Sequence, residues 1–391
     1  MFSENGIIAK AREAANKTNE AIINEQAELN ALDDYMENML NGTGGSTTPE
    51  DPEGPEMPEG WDPEKVDPVE SEDGITVPVP KGYTPSKITG EKTVEDGFVI
   101  YEGTDEVNDT NKDTAQTTRN QFVWVPVANP SEMYGTDKDG KKWGKLYNFS
   151  SSGITPLNWT EENGVMSITS LASYREPDIV TKYDADNDNL QEAGLDASAT
   201  ADTFKAQLEI EFNSMISSIE KYAGFYIGRY ETGNLGQAKA VVIKNNGDIN
   251  NKNWYTIYNK SKGIAANSNV TTSMIWGCQW DAVMRWMYNS GDNDKKTYTY
   301  DSTGKGNYQG TQGSKNKVIP TGSNEQYAVN NIYDMAGNED DWSIEAYDYM
   351  HRCRRGGDAL STKGNYAPAS RHGYTTPIAS DTGSRVMLFV N

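Results

Sequence analysis

The stretch "NIYDMAGNEDDWSIEAY", residues 331–347, places several oxygen-bearing side chains on one turn. Its members are Asp334, Asn338, Glu339, Asp340 and Asp341, arranged around Gly337 and ending at Trp342. Oxygen ligands on a tight glycine turn are what Ca²⁺ prefers. The alternative is a solvated turn that comes directly before a core tryptophan, and both interpretations stay open at this point.

Cysteine and histidine offer little for catalysis. Cys278 and Cys353 are too few and too far apart for a zinc site or a disulfide framework, although one bridge is feasible. We expect Cys278 to be a small core residue and Cys353 to lie on the surface. The histidines, His351 and His372, have no nucleophile assigned to them by spacing.

Two further charged motifs suggest binding sites. The acidic run 183–195 resembles a calcium loop, but it lacks a central glycine and has Leu195 where the last ligand should be, so we interpret it as a plain loop. Arg352, Arg354 and Arg355 form a basic spot that suits an anion. Ion pairing with the acidic turn is the interpretation we favour.

Composition divides the chain. Residues 1–74 hold 19 acidic and 4 basic side chains, which accounts for 15 of the 23 net negative charges. Such an acidic chain without a basic cluster would be repelled by a polyanion, so we expect no nucleic-acid partner. The sequence has no run of 18 apolar residues and no secretory signal pattern.

The elements that must position these residues follow from local patterns. Apolar residues at three- and four-residue steps predict an amphipathic helix over 1–41, which needs a coiled-coil or fibre partner unless it is a lone solvated helix. The Pro-, Gly- and Glu-rich segment 42–74 predicts an extended linker. We expect 75–391 to form one α+β domain.

Within that domain, the runs "GFVIYEG", "NQFVWVPV" and "YAGFYIGRYETG" are typical of strands. Helices are predicted over 201–223 and 279–289. The polar stretch 292–325 predicts long loops.

Seven motifs in this domain resemble a known family. They are "FVWVPV", "GFYIGRYETG", "QWDAVMRWM", "NNIYDMAGNEDDW", "RCRRGGDA", "PASRHGY" and "GSRVMLFV". Their order and spacing, over about 95–391, resemble the formylglycine-generating-enzyme (sulfatase-modifying) type of the C-type lectin fold. More narrowly, they resemble the variable proteins of diversity-generating retroelements. The resemblance implies a loop-rich α+β fold that displays randomised side chains for ligand binding.

That resemblance places a variable region at about 339–385. Adenine-directed mutagenesis in such systems yields Asn, Tyr, Ser, Thr, Asp, Gly, Ala, His, Leu, Ile and Cys, but not Lys, Met or Trp. The candidate ligand-binding residues are Asp340, Asp348, Tyr349, His351, Cys353, Asp358, Ala359, Leu360, Ser361, His372, Gly373, Tyr374, Thr375, Ser380 and Asp381. Seven of these we expect to be exposed: Tyr349, His351, Asp358, Leu360, His372, Tyr374 and Thr375. Between them we expect buried scaffold residues: Trp342, Arg355, Gly356, Pro368, Arg371, Val386 and Leu388.

The resemblance also implies a metal and excludes an activity. In the family the acidic turn holds a structural calcium ion, which here implies side-chain ligands from Asp334 and Asp341 and carbonyl ligands from Gly337 and Glu339. Asp341 stands where the family has the longer Glu. The enzymes of the family use two cysteines a few positions apart, whereas Cys278 and Cys353 are 75 positions apart. We therefore expect no enzyme and no catalytic residues.

The stretch "FSENGIIAKAREAANKTNEA" resembles type IV pilin-like proteins just beyond their membrane-embedded half. Together these features predict a bacterial or phage-encoded binding protein, located at the cell surface or outside the cell, with an unidentified macromolecular or cell-surface ligand. Attachment to a membrane or pilus would need a missing N-terminal segment, and the helix could mediate self-association. The alternatives are a homologue of the sulfatase-modifying enzymes and a structural pilus or phage-tip protein.

Overall fold

The computed structural model of the protein describes residues 55–391, apart from 170–172, 178–180, 236–239, 247–251, 265–266, 312–315, 363–365 and 379–381. Only the backbone is described at 173 and 174. The predicted helix 1–41 and the first part of the predicted linker therefore lie outside the described residues. The segment Gly54–Asn391 forms one compact unit.

Short strands provide most of the regular structure. In chain order they are β1 (Val66–Glu70), β2 (Thr76–Pro80), β3 (Tyr83–Pro85), β4 (Val99–Glu102), β5 (Gln121–Pro126), β6 (Tyr134–Thr136), β7 (Lys142–Gly144), β8 (Tyr147–Ser150), β9 (Gly153–Pro156), β10 (Trp159–Glu162), β11 (Val165–Ile168), β12 (Ser173–Arg175), β13 (Gly224–Gly228), β14 (Val270–Met274), β15 (Ala328–Val329), β16 (Ile332–Tyr333), β17 (Asp340–Asp348), β18 (Arg352–Arg355), β19 (His372–Tyr374), β20 (Thr382–Ser384) and β21 (Val386–Val390).

The described helices are fewer. They are α1 (Lys112–Thr118), α2 (Asn187–Glu192), α3 (Ala201–Tyr222), α4 (Trp254–Ser261), α5 (Gly277–Tyr288) and α6 (Asn293–Tyr300), with 3₁₀ turns at Pro130–Glu132, Lys182–Ala185 and Glu325–Tyr327. None of these helices combines the length and the apolar character needed to cross a membrane.

The largest sheet has the order β14-β21-β13-β5-β4-β3, and every neighbouring pair is antiparallel. The three runs predicted as strands are confirmed as β4, β5 and β13. β13 and β21 are buried at every residue, which explains their continuous rather than alternating apolar sequence. The mixture of helices and antiparallel sheets agrees with the predicted α+β class.

The helix predicted over 201–223 is confirmed as α3. It begins after Thr200, whose hydroxyl accepts a hydrogen bond from the Thr203 backbone N–H at 3.3 Å. It ends at Ala223, which adopts a left-handed conformation. The buried face of α3 packs against β13 and β21. The second predicted helix is also confirmed, as α5.

Three boundaries differ from the prediction. The segment 66–70, predicted as linker, is β1 and pairs with β2 from Val66↔Pro80 to Glu70↔Thr76. Val66, Val77 and Val79 enter the core, so the folded domain begins before residue 75. The composition of this segment did not predict a strand, because Pro and Glu residues surround its valines.

The other two differences are helices in segments predicted as loops. α6 occupies part of 292–325, and its N-terminus is capped by the Asp292 carboxylate, which accepts from the Asp294 N–H at 2.7 Å. The run 183–195 contains α2, which begins at a similar cap provided by Asp186. Both helices are short and polar, so their stability comes from caps and tertiary contacts rather than from an apolar stripe.

Candidate ligand-binding face

A second sheet carries the predicted variable region. Its order is β12-β17-β18-β19, and β20 lies parallel to the first half of β17. β17 changes register against β18 between Trp342 and Ala346. This irregularity lets the two halves of β17 serve different ends of the sheet: the acidic turn at one end and the β17–β18 hairpin tip at the other.

The hairpin tip is exposed. The Tyr347 N–H donates to the His351 carbonyl at 2.9 Å and closes the hairpin. Beyond this bond the side chain of Tyr349 is 65% exposed, and that of Met350 is 38% exposed. The imidazole Nδ1 of His351 lies 2.7 Å from the Asp348 carboxylate, which stiffens the tip.

Buried arginines anchor the strands beneath this surface. Arg352 bonds Asp184 at 3.0 Å, and neither side chain has exposed area. Arg355 bonds Asp281 at 2.8 Å and Glu345 at 3.4 Å, again without exposure. The prediction that all three arginines of the basic spot pair with the acidic turn is therefore wrong for these two. Desolvated pairs of this kind are costly to break.

Arg354, the third member, does pair with the turn. Its guanidinium lies 3.7 Å from the Asp340 carboxylate, 4.4 Å from the Trp342 ring centroid and 3.8 Å from that of Tyr374. Burial raises the pKa of Asp340 to about 7, against the opposing effect of Arg354, and the nearby Asp358 carboxylate adds to the rise. Asp340 is only 3% exposed, so its prediction as a ligand-contacting residue is wrong.

The loop after β18 adds a second exposed position. The Asp358 carboxylate accepts from the Leu360 N–H at 3.0 Å and from the Ser361 hydroxyl at 2.7 Å. This small turn raises Leu360 above the surface, where its side chain is 64% exposed. Ala359 points inward, and its N–H donates to the Asn338 carbonyl at 3.0 Å. The loop is thus tied to the acidic turn.

β19 supplies a third part of the face. Tyr374 is 44% exposed and covers Arg354. The imidazole of His372 stacks on the Tyr366 ring with centroids 4.2 Å apart. A Cβ on Gly373 would lie 2.5 Å from the Tyr347 ring, so the strand can approach β17 this closely only with glycine here.

Three of the seven residues predicted to be exposed are exposed in the structure. Tyr349, Leu360 and Tyr374 are exposed, while the remaining four are half-buried: His351, Asp358, His372 and Thr375. Asp348, Ser361 and Gly373 are also half-buried. Three other candidates are buried, which corrects their assignment to the face: Asp340, Cys353 and Ala359. Ser380 and Asp381 lie outside the described residues.

Six of the seven predicted scaffold residues are buried: Trp342, Arg355, Gly356, Pro368, Val386 and Leu388. The seventh, Arg371, is half-buried as a residue, although its side chain is only 6% exposed. Sequence reasoning missed Met350 and Ile378, which are exposed beside the predicted positions. An isoleucine in a Gly- and Thr-rich segment was the available signal for Ile378, whereas the methionine at 350 lies outside the residue types that adenine-directed mutagenesis yields.

The acidic turn is buried, so the solvated-turn alternative is wrong. Asp334, Glu339 and Asp341 are each 6% exposed or less. The Asp334 carboxylate accepts from the Thr321 hydroxyl and the Gly322 N–H, both at 2.9 Å. The Asp341 carboxylate lies 3.3 Å from Nε of Arg385.

These contacts occupy part of the ligand set of the calcium site that the resemblance implies. The Oδ2 atoms of Asp334 and Asp341 accept from hydroxyl, backbone and guanidinium donors, whereas Oδ1 of Asp341 is buried without a hydrogen-bond partner in the described part of the chain. Among the described residues, no three His, Cys, Asp or Glu side chains converge as metal ligands. Calcium bound by Asp334, Gly337, Glu339 and Asp341 stays a prediction without support from this geometry.

The guanidinium of Arg385 offsets part of the negative charge in this turn. Burial, followed by the charges of Glu339, Asp334 and Asp341, raises the pKa of Glu231 well above its ordinary value. Burial also raises the pKa of Asp341 to about 6, although Arg385 opposes the shift. Glu231 accepts from the Asn338 amide and from the Glu339 N–H. The turn is therefore a buried acidic network rather than an open cage.

Both cysteines are buried. Cys278 is 1% exposed, as predicted for a core residue, but Cys353 has no exposed area, and its predicted surface position is wrong. β18 is covered on both faces, which places Cys353 inside. Burial raises the pKa of both thiols well above the ordinary value, and neither forms a disulfide. Neither is an activated thiolate.

No family model and no curated protein matches the chain. Among solved structures it is similar to PvdO from Pseudomonas aeruginosa, at 15% identity and a TM-score of 0.29 over 43% of this chain and 81% of that one. It is similar to CarF at 17% identity and a TM-score of 0.28, over 43% and 87% of the two chains. It is also similar to Treponema denticola variable protein 1 at 12% identity and a TM-score of 0.24, over 65% and 97%. TM-scores this low do not establish a shared fold.

Proposed function

We propose that this protein is a ligand-binding protein whose binding face is formed by the β17–β18 hairpin tip, the loop after β18, and β19 with the residues that follow it. The face is diversified by a retroelement, and the protein is displayed at the cell surface or outside the cell. In this proposal residues 1–41 serve attachment or self-association. No nucleic acid is involved, and the protein is not an enzyme.

One observation carries the proposal. Of the nine large hydrophobic side chains that are exposed in the described part of the chain, five lie between residues 349 and 378: Tyr349, Met350, Leu360, Tyr374 and Ile378. Exposed apolar side chains concentrated in one region mark interaction sites. Rigid rings such as Tyr349 and Tyr374 bury large contact areas at little entropic cost.

The arrangement beneath the face supports diversification. Arg352, Arg354 and Arg355 hold β18 through buried ion pairs that do not involve the exposed side chains of Tyr349 or Leu360. Those two side chains can therefore change without disturbing the charged scaffold. Tyr374 is different, because it packs on Arg354.

The enzyme alternative has less support. Formylglycine generation in the resembled family needs two reactive thiols close together. Here both thiols are buried, and burial raises the pKa of each. A thiolate nucleophile requires the opposite environment.

Sequencing this gene across a population of cells that carries it tests the proposal. We expect substitutions at the codons for Tyr349, Leu360 and Tyr374, and none at those for Trp342 and Arg355. A neighbouring reverse transcriptase gene and a template repeat for about 339–385 should accompany them. Uniform or absent variation across this region would contradict diversification.

A further inference from the structure

β19 ends its sheet. Its three residues pair with β18 through Arg352↔Tyr374, Cys353↔Gly373 and Arg354↔His372. Among the residues that the structure describes, no strand pairs with the outer edge of β19. An unpaired edge presents backbone N–H and C=O groups that can pair with another extended chain.

The side chains around this edge suit such a pairing. Gly373 has no side chain to block the middle of the strand, and it lies against Tyr347. Tyr374 is exposed at one end and is fixed by its stack on Arg354. At the other end Nε2 of His372 is buried and has no hydrogen-bond partner within the described part of the chain. An unpaired buried polar atom is uncommon in a folded protein.

The surroundings are apolar and acidic. Leu360 and Ile378 are exposed in the loops on either side of β19 in sequence. Asp348 lies at the hairpin tip, and Asp358 is an electrostatic neighbour of both Tyr374 and Arg354. Both carboxylates are acidic groups at or near the surface of this region, which favours a partner with basic side chains.

We propose that the ligand of this face is an extended peptide segment that adds as a strand to the outer edge of β19. The segment carries apolar side chains, which contact Tyr374 and Leu360, and lysines or arginines directed toward Asp348 and Asp358. Main-chain hydrogen bonds then provide affinity that persists when the exposed side chains change, and those side chains set the specificity. The inference rests on the proposed binding function.

The test pans a random linear-peptide library displayed on phage against the full chain and, in parallel, incubates the full chain with an array of glycans. We expect enriched peptides that contain both apolar and basic residues. In a synthetic peptide of the enriched sequence, N-methylation should weaken binding at alternate residues only, by roughly threefold to tenfold for each hydrogen bond lost. The intervening residues should tolerate it, because their N–H groups point away from β19.

Matched variants locate the site. Tyr374→Ser and Leu360→Ser should each reduce binding of the enriched peptide severalfold. Ile210→Ser should not, since Ile210 is an equally exposed side chain on α3, outside the proposed face. Circular dichroism of the variants establishes that each is folded.

Each of the other outcomes overturns a defined part of the proposal. If N-methylation weakens binding at positions that do not alternate along the peptide, strand addition is overturned. Enriched peptides whose binding all three variants leave intact show another site and also overturn it. Glycan binding that Tyr374→Ser abolishes, without peptide binding, overturns the peptide class but leaves the proposed binding function standing. If neither a peptide nor a glycan binds in a way that depends on the face, both the strand-addition proposal and the proposed binding function are overturned.

Discussion

The guanidinium of Arg354 lies 3.8 Å from the centroid of the Tyr374 ring, so an exposed aromatic residue of the proposed binding face packs on a buried charge. Trp342 contacts the same guanidinium at 4.4 Å. Asp340 completes the cluster from within the sheet. The position of Tyr374 is therefore set by residues that no ligand reaches.

Tyr374→Ala should lower the free energy of unfolding by about 1–2 kcal/mol, because it removes a ring from a largely desolvated cation. Tyr349→Ala is the matched control, since this ring is more exposed and contacts no arginine in the described structure. Its expected cost is within about 0.5 kcal/mol. Urea denaturation of both variants measures the difference, and equal costs would show that the stack contributes nothing.

Arg355→Met should destabilise the domain by about 3–5 kcal/mol, because it leaves the carboxylates of Asp281 and Glu345 buried with fewer cations. Both acids retain Arg371 as a partner, so the domain should unfold at lower urea concentration rather than fail to fold. Lys305→Met serves as the control, since it removes the charge of an exposed side chain in the loop after α6. A wild-type unfolding midpoint for Arg355→Met would contradict the anchoring role of this arginine.

Stability should rise as the pH falls from 8 to about 6.5. Burial raises the pKa of both Asp340 and Glu176 to about 7, whereas carboxyl groups of an unfolded chain titrate near 4. The folded state therefore binds more protons in this window, and protonation relieves an unfavourable buried charge. The free energy of unfolding measured at several pH values should show this slope, and Asp340→Asn should reduce it.

Below about pH 6.5 an opposing effect begins. Burial, aided by the charge of Arg355, lowers the pKa of His372, so the unfolded chain binds the histidine proton first. A slope of the opposite sign between pH 8 and 6.5 would mean that the buried carboxyl groups are stabilised as charges.

Chelation should leave the melting temperature unchanged. Asp341 is satisfied in part by Arg385, and Asp334 by Thr321 and Gly322, so the turn needs no cation to be held in place. The measurement compares melts in excess EGTA and in excess calcium. A melting temperature that falls on chelation, and a loss of that sensitivity in Asp334→Ala, would instead establish the calcium site implied by the family resemblance.

In the native protein neither thiol should react with an aromatic disulfide reagent. After denaturation both should react and release two equivalents of the aromatic thiol for each chain. The native protein should also fail to convert the cysteine of a sulfatase peptide to formylglycine, with or without copper. Rapid labelling of the folded protein would show that at least one cysteine is accessible, and formylglycine formation would contradict the proposed function.

The sequence predicted elements whose apolar pattern is strong. α3 follows from the spacing of Phe204, Leu208, Phe212 and Met215 with a cap at Thr200, and β5 from its continuous apolar run. It could not predict α6, whose sequence is polar and whose contacts are tertiary. The sequence could not predict the burial of Cys353 either. Because β18 is covered on both faces, its apolar and polar residues do not alternate in a way that distinguishes a buried face from an exposed one.

The candidate site divides in the same way. The family resemblance, with the residue types that adenine-directed mutagenesis yields, indicated Tyr349, Leu360 and Tyr374 as exposed. The burial of Asp340 follows from its ion pair with Arg354, which no local pattern encodes. The acidic turn was expected to be either a cation site or solvated, and its pairing with Arg385 joins residues 44 positions apart at a distance of 3.3 Å.

The buried ion pairs around β18 also have a practical consequence for protein engineering. Because Arg352 and Arg355 hold the sheet from beneath, a combinatorial library could randomise Tyr349, Met350, Leu360 and Ile378 while leaving every charged anchor intact. Tyr374 would best be kept aromatic in such a library, since its ring stacks on Arg354. A repertoire built in this way would lose little solubility or expression as its diversity grew, because each member would inherit the same folded framework.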